Sequence, residues 1–198
     1  MNNSIKYYFR KGVWEKKIQF HKFYLFHSFF KKWNYILYID CGMHIFSNIK
    51  PILDEKKEGV LFANRDGLDF EGKYGGLTLR DQFILYFNND NQKYYLDKLN
   101  NNYNLDILSL QTGLLLYDTN LINENTFSDL INLNKEYPIA TKNDQSIISL
   151  YFTYIKPVWK QLKRKDANIY YYDSVKCVKE KYIMIKWNTK IYENYGYK

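Results

Sequence analysis

The chain has 198 residues, of which 46% are hydrophobic and 19% aromatic, and this length predicts a single domain, residues 1–198, with one hydrophobic core. The formal net charge of +8 suits anionic ligands, nucleic acid or an acidic membrane surface, but the basic residues are spread out and form no nucleic-acid-binding motif. Two cysteines exclude a disulfide framework, and no signal peptide or apolar run of membrane-spanning length is present, so we expect a cytoplasmic protein without a transmembrane segment or a nucleic-acid partner.

The first elements are a helix, a strand and a second, short helix. Residues 13–33 carry aromatic side chains at spacings of mostly three to five, which predicts a helix whose aromatic face covers the next strand. Peripheral contact with a membrane is the alternative use of that face. Residues 35–40, YILYID, predict a buried strand that ends at the carboxylate of Asp40. We expect Ser47 to cap a short helix ending near Asp54.

The remaining elements alternate between strands and helices. In chain order the first of these are a strand at 59–64, a glycine-rich loop at 67–76 and two helices within 78–99, broken around 87–90. One long strand or a strand pair follows at 108–119, interrupted at Gly113, and then a helix over roughly 121–134. The last are a helix at 143–154 with Asn143 or Asp144 near its cap, and strands at 168–173 and 182–187. This alternation predicts a layered α/β fold.

Three segments, taken in order, resemble the GT-A fold glycosyltransferases, which use nucleotide-diphosphate sugars, and within them the glycogenin- and galactosyltransferase-like families. YILYIDCGMHIF followed by SNIKPILD is similar to the strand that ends in the DxD motif of these enzymes. LQTGLLLYDTN resembles their Asn-Ser-Gly segment and buried strand, and NDQSIISLYF resembles the Asp-Gln opening of the helix on the acceptor side. A DxG variant with a DQS helix also resembles members from microbes and large viruses. The likeness covers about residues 18–187 and implies a mixed sheet flanked by helices.

The resemblance implies a donor site at Asp40. Asp40 would contact a metal or the ribose of the donor, and Gly42 would allow the chain to approach the donor closely. Mn²⁺ or Mg²⁺ would suit carboxylate ligands, but Gly42 stands where the family has its second acid. If residues 40–44 are extended, His44 faces the same side as Asp40 and is a candidate second metal ligand, the alternative being an ordinary packed or surface histidine.

Two departures from the family concern the diphosphate and the nucleoside. The family commonly has a metal-binding histidine near its final strand, where YIMIKW places Lys186. A protonated lysine cannot bind metal but can neutralise phosphate directly, which favours handling of the diphosphate with little or no metal. Only 39 residues precede Asp40, so we expect the N-terminal nucleotide-binding part to be reduced.

The helix that begins with Asp144-Gln145 supplies the predicted catalytic residues. In the family this pair lies beside the reacting sugar carbon, where a carboxylate can stabilise positive charge or position the acceptor. The alternative is that Asp144 simply caps its helix. Gln111, Thr112 and Gly113 are candidate contacts to the donor sugar, although a buried amide satisfied within its own strand is an equally good interpretation of Gln111.

Two further candidates are Arg80 and Asp81, in TLRDQF. Arg80 could bind the diphosphate and Asp81 the sugar hydroxyls; for Arg80 an exposed helical ion pair is the favoured alternative. Asp66 and Asp69 are assigned to the glycine-rich loop, which could act as a lid over the acceptor or merely connect elements.

The expected function is transfer of a hexose from a nucleotide-sugar donor to a glycan or glycoprotein acceptor. The alternative is a catalytically inactive GT-A remnant that binds sugar or a partner, which the half-present DxD motif and the short N-terminus motivate. A basic nucleic-acid-binding protein is a third interpretation that no motif supports.

Overall fold

The computed structural model of this chain describes residues 8–9, 12–13, 17–66, 77–83, 90–140, 144–163 and 183–186. The strand predicted at 168–173 and the whole glycine-rich loop at 67–76, with Asp69, lie outside these residues. The described strands are β1 (Tyr8–Phe9), β2 (Gly12–Val13), β3 (Tyr35–Ile39), β4 (Met43–Ile45), β5 (Leu61–Arg65), β6 (Leu110–Asp118), β7 (Trp159–Gln161) and β8 (Met184–Lys186). The α-helices are α1 (Lys50–Leu53), α2 (Leu79–Phe83), α3 (Asp90–Asn102), α4 (Thr126–Glu136) and α5 (Asp144–Leu150).

A four-stranded mixed sheet in the order β3-β6-β5-β7 organises the fold. β6 pairs antiparallel with β3 and with β5, and β7 adds to β5 in parallel. All nine residues of β6 are buried, as expected for the central strand of a sheet covered on both faces. β6 is one continuous strand, which decides between the two predicted forms of 108–119. β3 is half-buried and not buried as predicted, because it lies at the edge of the sheet.

Alternate residues of β5 and β6 pack on opposite faces of the sheet, as the two-residue period of a strand requires. Leu61, Ala63, Leu115 and Tyr117 belong to one core cluster, together with buried residues of α2, α4 and α5. The second cluster lies on the other face with Ile52 of α1 and Met184 of β8, and contains Val60, Phe62, Leu114 and Leu116. The fold is therefore mixed α/β with helices on the sheet, as predicted.

Pairing between β5 and β6 becomes irregular near Gly113. Ala63 is opposite Leu115, but Arg65, two residues on, is opposite Leu110. Side chains supply acceptors for backbone N–H groups of this part of β6. Ser149 Oγ accepts from Leu110, Gln145 Oε1 from Thr112 and Gln111 Oε1 from Gly113, at 3.0, 3.2 and 2.8 Å. The irregular stretch of β6 is thus tied to α5, which begins at Asp144.

The aromatic helix, Lys17–Phe26, is a 3₁₀ helix, and a second 3₁₀ helix follows at Ser28–Lys32. Three residues per turn place side chains three apart on one line, and Phe20, Phe23 and Phe26 form that buried line. The predicted aromatic face is confirmed at Phe23 and Phe26. The prediction is wrong at Trp33, which lies beyond the end of the second 3₁₀ helix and is 44% exposed.

A turn separates β3 from β4. The N–H of Met43 donates to the carbonyl of Asp40 at 3.0 Å, so the chain reverses at Cys41-Gly42, and β4 pairs with β8 in a separate two-stranded sheet. Ser47 does not cap the helix that follows: the side chain of Asn48 accepts from the N–H of Lys50, at 2.8 Å. No helix in the described ranges is both long and apolar enough to cross a membrane.

Candidate functional site

Lys22 of the aromatic helix joins two carboxylates that are distant in the sequence. Its Nζ lies 3.2 Å from Oδ1 of Asp40 and 3.2 Å from Oδ2 of Asp144. The same nitrogen donates to Oγ1 and to the carbonyl oxygen of Thr112, at 3.2 and 3.3 Å. The hydroxyl of Thr112 donates in turn to Oδ2 of Asp144, at 2.9 Å. We call Lys22, Tyr38, Asp40, Thr112 and Asp144 the Lys22 cluster.

Four different elements position the five members of the Lys22 cluster. Tyr38 and Asp40 are two residues apart, so they point to the same side of the β3 segment, and the Tyr38 hydroxyl donates to Oδ1 of Asp40 at 2.7 Å. The N–H of Asp40 still donates to the carbonyl of Gly113 at 2.8 Å, which fixes the strand end against β6. Thr112 lies in the irregular stretch of β6, and Asp144 is the first residue of α5. Helix, sheet edge, central strand and α5 therefore meet at one ammonium group.

Burial raises the pKa of two members of the Lys22 cluster, Asp144 and Tyr38. Burial raises the pKa of the Asp144 carboxyl above its usual range and Asp40 adds to this, although the Lys22 ammonium and the Thr112 hydroxyl oppose the shift. Burial and the hydrogen bond to Asp40 raise the pKa of the Tyr38 hydroxyl, which therefore remains a proton donor at neutral pH. A nearly buried carboxylate with raised proton affinity is suited to receive a proton or to face a developing positive charge.

Gln145 lies beside the cluster but has both ends of its amide engaged. Its Oε1 accepts from the N–H of Thr112, and its Nε2 donates to Oδ2 of Asp66 at 2.6 Å and to Oε1 of Gln82 at 3.0 Å. Gln82 also donates to Asp66 at 2.7 Å and to the hydroxyl of Ser109 at 3.0 Å. These buried polar side chains join β5, α2, β6 and α5 beneath Asp144. In this arrangement Gln145 positions Thr112 and the start of α5.

Two of the predicted donor contacts make hydrogen bonds within their own strand. Gln111 is 3% exposed, and its Oε1 accepts from the N–H of Gly113. This matches the alternative interpretation of Gln111 as a buried amide that is satisfied within its own strand. Gly113 is joined to Asp40 through its carbonyl. The segment 111–113 thus lies directly beside Asp40, and Thr112 contributes its hydroxyl and carbonyl to the cluster.

Arg80 and Asp81, both on α2, have structural partners outside that helix. The Arg80 guanidinium pairs with the carboxylate of Asp106, Nε to Oδ1 at 2.7 Å and Nη2 to Oδ2 at 3.2 Å, and this ion pair is exposed. Oδ2 of Asp81 accepts from the N–H and the hydroxyl of Thr78, at 2.7 and 2.8 Å, and the Asp81 N–H reaches back to that hydroxyl. The pair Thr78–Asp81 is a reciprocal cap of the helix start.

The remaining predicted residues lie around the β3–β4 turn. Gly42 is exposed in the turn itself. His44 lies in β4 opposite Ile185, and Lys186 lies in β8 opposite Met43; the side chains of His44 and Lys186 are outside the described residues. Because the chain turns at Cys41-Gly42, residues 40–44 are not extended, and the condition on which His44 was a candidate ligand beside Asp40 is not met.

The Lys22 cluster does not offer the ligand set of a divalent metal. One oxygen of Asp40 and one of Asp144 both bind the Lys22 ammonium, so an ion that bridged them would compete with it. Nitrogen–oxygen separations of 3.2 Å suit an ammonium, whereas Mg²⁺ binds oxygen at about 2.0–2.1 Å. Within the described ranges, no group of three or more His, Cys, Asp or Glu residues could hold a metal ion.

Sequence reasoning missed Lys22, Tyr38 and Gln82, and it assigned Asp66 to a loop. One signal was available for Lys22, which is a lone cation inside the aromatic run IQFHKFYLF that faces the sheet. Tyr38 could have been found from its two-residue spacing to Asp40. Gln82 and Asp66 carry no local signal, because their contacts to Gln145 span 63 and 79 residues.

The fold is similar to a solved structure of WbbM, a bifunctional glycosyltransferase, in its apo form. The two share 18% sequence identity with a TM-score of 0.54 over 85% of this chain, which spans 31% of the WbbM chain. No protein-family model and no curated protein sequence matches this chain. The protein therefore has a glycosyltransferase-like fold.

Proposed function

We propose that this protein is a GT-A-like glycosyltransferase that moves a hexose from a nucleotide-diphosphate sugar to a glycan or glycoprotein acceptor. One observation supports the proposal above the others: Asp40, at the end of β3, and Asp144, at the start of α5, converge on Lys22 within 3.2 Å in a glycosyltransferase-like fold. Ligands of open α/β sheets bind beyond the carboxyl ends of strands, where Asp40 stands.

The chemistry of the transfer assigns different tasks to the two carboxylates. The bond from the sugar's anomeric carbon to phosphate oxygen breaks, the nucleoside diphosphate leaves with the electron pair, and an acceptor hydroxyl forms the new bond and loses its proton. Asp144 lies at the reacting carbon, where a carboxylate stabilises the developing positive charge or positions the acceptor. Asp40 accepts hydrogen bonds from ribose or sugar hydroxyls, and Gln145 holds Thr112 and α5 in place. Lys186 is assigned to the diphosphate.

A binding protein that descends from such an enzyme is the second candidate. The observation in its favour is that Lys22 already neutralises the carboxylates on which catalysis would depend. Such a remnant would bind a sugar nucleotide or a glycan and would never release nucleoside diphosphate.

Thermal stabilisation by UDP-, GDP- and TDP-sugars tests the donor site, because a ligand bound only to the folded protein raises its melting temperature. Release of nucleoside diphosphate in the presence of candidate acceptors then separates the enzyme from the binding protein. The Asp144→Asn variant should lose this release, on the order of 100-fold or more, while it remains folded, since the amide has a similar size and Asp40 still pairs with Lys22. Asp54→Asn, at an exposed residue, is the matched control.

The outcomes separate cleanly. A shift with one nucleotide class together with diphosphate release that Asp144→Asn abolishes supports the enzyme. A shift without release under any acceptor supports the binding protein. No shift with any sugar nucleotide contradicts the enzyme and favours a remnant that binds a glycan or a partner instead.

A further inference from the structure

We propose that Lys22 is the resident cation of this site and that it takes the place of a divalent metal between Asp40 and Asp144. The claim about the cation concerns the protein alone. The assignment of a task to that cation, neutralising the diphosphate as it leaves, rests on the proposed glycosyltransferase function.

The surroundings of Lys22 are those of a bound cation. Four oxygens lie within 3.3 Å of Nζ, from Asp40, Asp144 and both the hydroxyl and the carbonyl of Thr112. Three N–H bonds serve these four acceptors, so the ammonium has its hydrogen-bonding capacity filled. The side chain of Lys22 is only 13% exposed, and its Nζ also lies 5.3 Å from the centre of the Tyr38 ring. A solvated surface lysine has none of these features.

Hydrogen bonds from neighbouring hydroxyls also orient the carboxylates of Asp40 and Asp144 toward the Lys22 ammonium. Oδ1 of Asp40 already accepts from the Tyr38 hydroxyl, and Oδ2 of Asp144 already accepts from the Thr112 hydroxyl. Each of these oxygens therefore has one lone pair engaged before Lys22 arrives, which orients the other toward Nζ. A divalent ion placed against the same oxygens would stand beside a like charge in a mostly buried site, and repulsion would oppose its binding.

Removal of the ammonium should create a metal site in its place. In Lys22→Ala, the two carboxylates and the hydroxyl and carbonyl of Thr112 are left facing the vacated volume. Oxygen donors with two negative charges are the ligand type that Mn²⁺ and Mg²⁺ prefer. The same substitution that removes the resident cation should therefore give the protein an affinity for a divalent ion that it does not have in the wild type.

Mn²⁺ binding measured by the loss of the free-ion electron paramagnetic resonance signal tests this proposal without any donor sugar. Wild type and the control Lys31→Ala, an exposed lysine of the second 3₁₀ helix, should leave the signal unchanged. Lys22→Ala should bind Mn²⁺ at least about tenfold more tightly than wild type, and Mn²⁺ should raise its melting temperature. The double variant Lys22→Ala/Asp144→Asn should lose most of that gain, because one of the two carboxylates is gone.

Specific Mn²⁺ binding by the wild type that the Asp40→Asn substitution abolishes would overturn the proposal, and so would a folded Lys22→Ala that gains no affinity. If Lys22→Ala does not fold, Lys22→Ser, which keeps a short hydroxyl donor for the carboxylates, is held to the same expectation. Failure of the donor panel would contradict the proposed function and leave these results intact. If both proposals hold, the stabilisation of the wild type by its sugar nucleotide should be the same with EDTA as with Mn²⁺.

Discussion

The side-chain amide of Gln145 donates to the carboxylate of Asp66 at 2.6 Å, across 79 residues of sequence. This bond fixes the end of β5 against the first turn of α5. Because Gln145 also accepts from the N–H of Thr112, one amide holds the first turn of α5 against both Asp66 and the backbone of Thr112. The hydrogen bonds of Gln145 therefore affect the site by holding Thr112 and the first turn of α5 in position.

Gln145→Leu should destabilise the protein by about 2–4 kcal/mol, because it leaves the buried Asp66 carboxylate and the Thr112 N–H each short of a partner. Urea unfolding followed by circular dichroism measures the loss. Gln161→Leu, the same substitution at an exposed position of β7, is the control and should stay within about 0.5 kcal/mol of wild type. Equal effects at both positions would show that the network contributes nothing to stability.

Phe26→Ala should cost about 3–5 kcal/mol, the usual range for a fully buried phenylalanine. The Phe26 ring is not exposed at all and packs with its centre 5.2 Å from that of Tyr117 and 4.7 Å from that of Phe152. These contacts join the aromatic helix to the sheet and to the π-helical turn Tyr151–Ile155 that follows α5. Phe29→Ala, at a ring that is 56% exposed, is the matched control with a small expected effect. Similar losses in free energy of unfolding for the two variants would mean that the aromatic helix does not pack as described.

Alkaline pH should destabilise the protein through Tyr117. Burial raises the pKa of its hydroxyl well above the ordinary value of 10.0, and that hydroxyl donates to the carbonyl of Leu25. The unfolded chain therefore releases the proton first. The contribution to stability is complete below pH 10 and is lost as the pH rises above it, at up to about 1.4 kcal/mol per pH unit.

Tyr117→Phe removes that proton and should make the decline in melting temperature above pH 10 shallower, while Tyr38 and the other tyrosines with raised pKa keep part of the decline. At neutral pH the variant should be less stable than wild type by about 1–3 kcal/mol, since the Leu25 carbonyl loses its donor. Tyr94→Phe, at a side chain that is 63% exposed, should leave the profile unchanged. An identical alkaline slope in Tyr117→Phe and wild type would contradict this explanation.

Short-range patterns predicted the elements well. An apolar run predicted a strand over 35–40, and β3 ends at Ile39, directly before Asp40. The helix predicted to begin with Asn143 or Asp144 near its cap is α5, which the structure describes from Asp144. The strand at 182–187 exists at Met184–Lys186, but it pairs with β4 and not with the main sheet. Pairing partners are decided by tertiary packing, which a local pattern does not encode.

The features that the sequence did not reveal depend on contacts between residues that are far apart along the chain. β7 has three residues, half-buried or exposed, and is a strand only because β5 lies beside it in parallel. Lys22 resembles any lysine in a helix until Asp40 and Asp144 are brought to it. Local spacing also predicted a helix at 13–33 without distinguishing the 3₁₀ form, whose three-residue period Phe20, Phe23 and Phe26 follow.

The long reach of Lys22 has a consequence for biosynthesis. Lys22 contacts Thr112 across 90 residues. At ribosomal rates of 5–20 residues per second, Thr112 is synthesised roughly 5–18 s after Lys22, and Asp144 later still. The phenylalanines of the aromatic helix also lack their packing partners during this interval, since β6, which they cover, is synthesised equally late. Until β6 and α5 emerge, the growing chain carries an aromatic segment without its sheet, and that is the interval in which it is most exposed to aggregation or to capture by a chaperone.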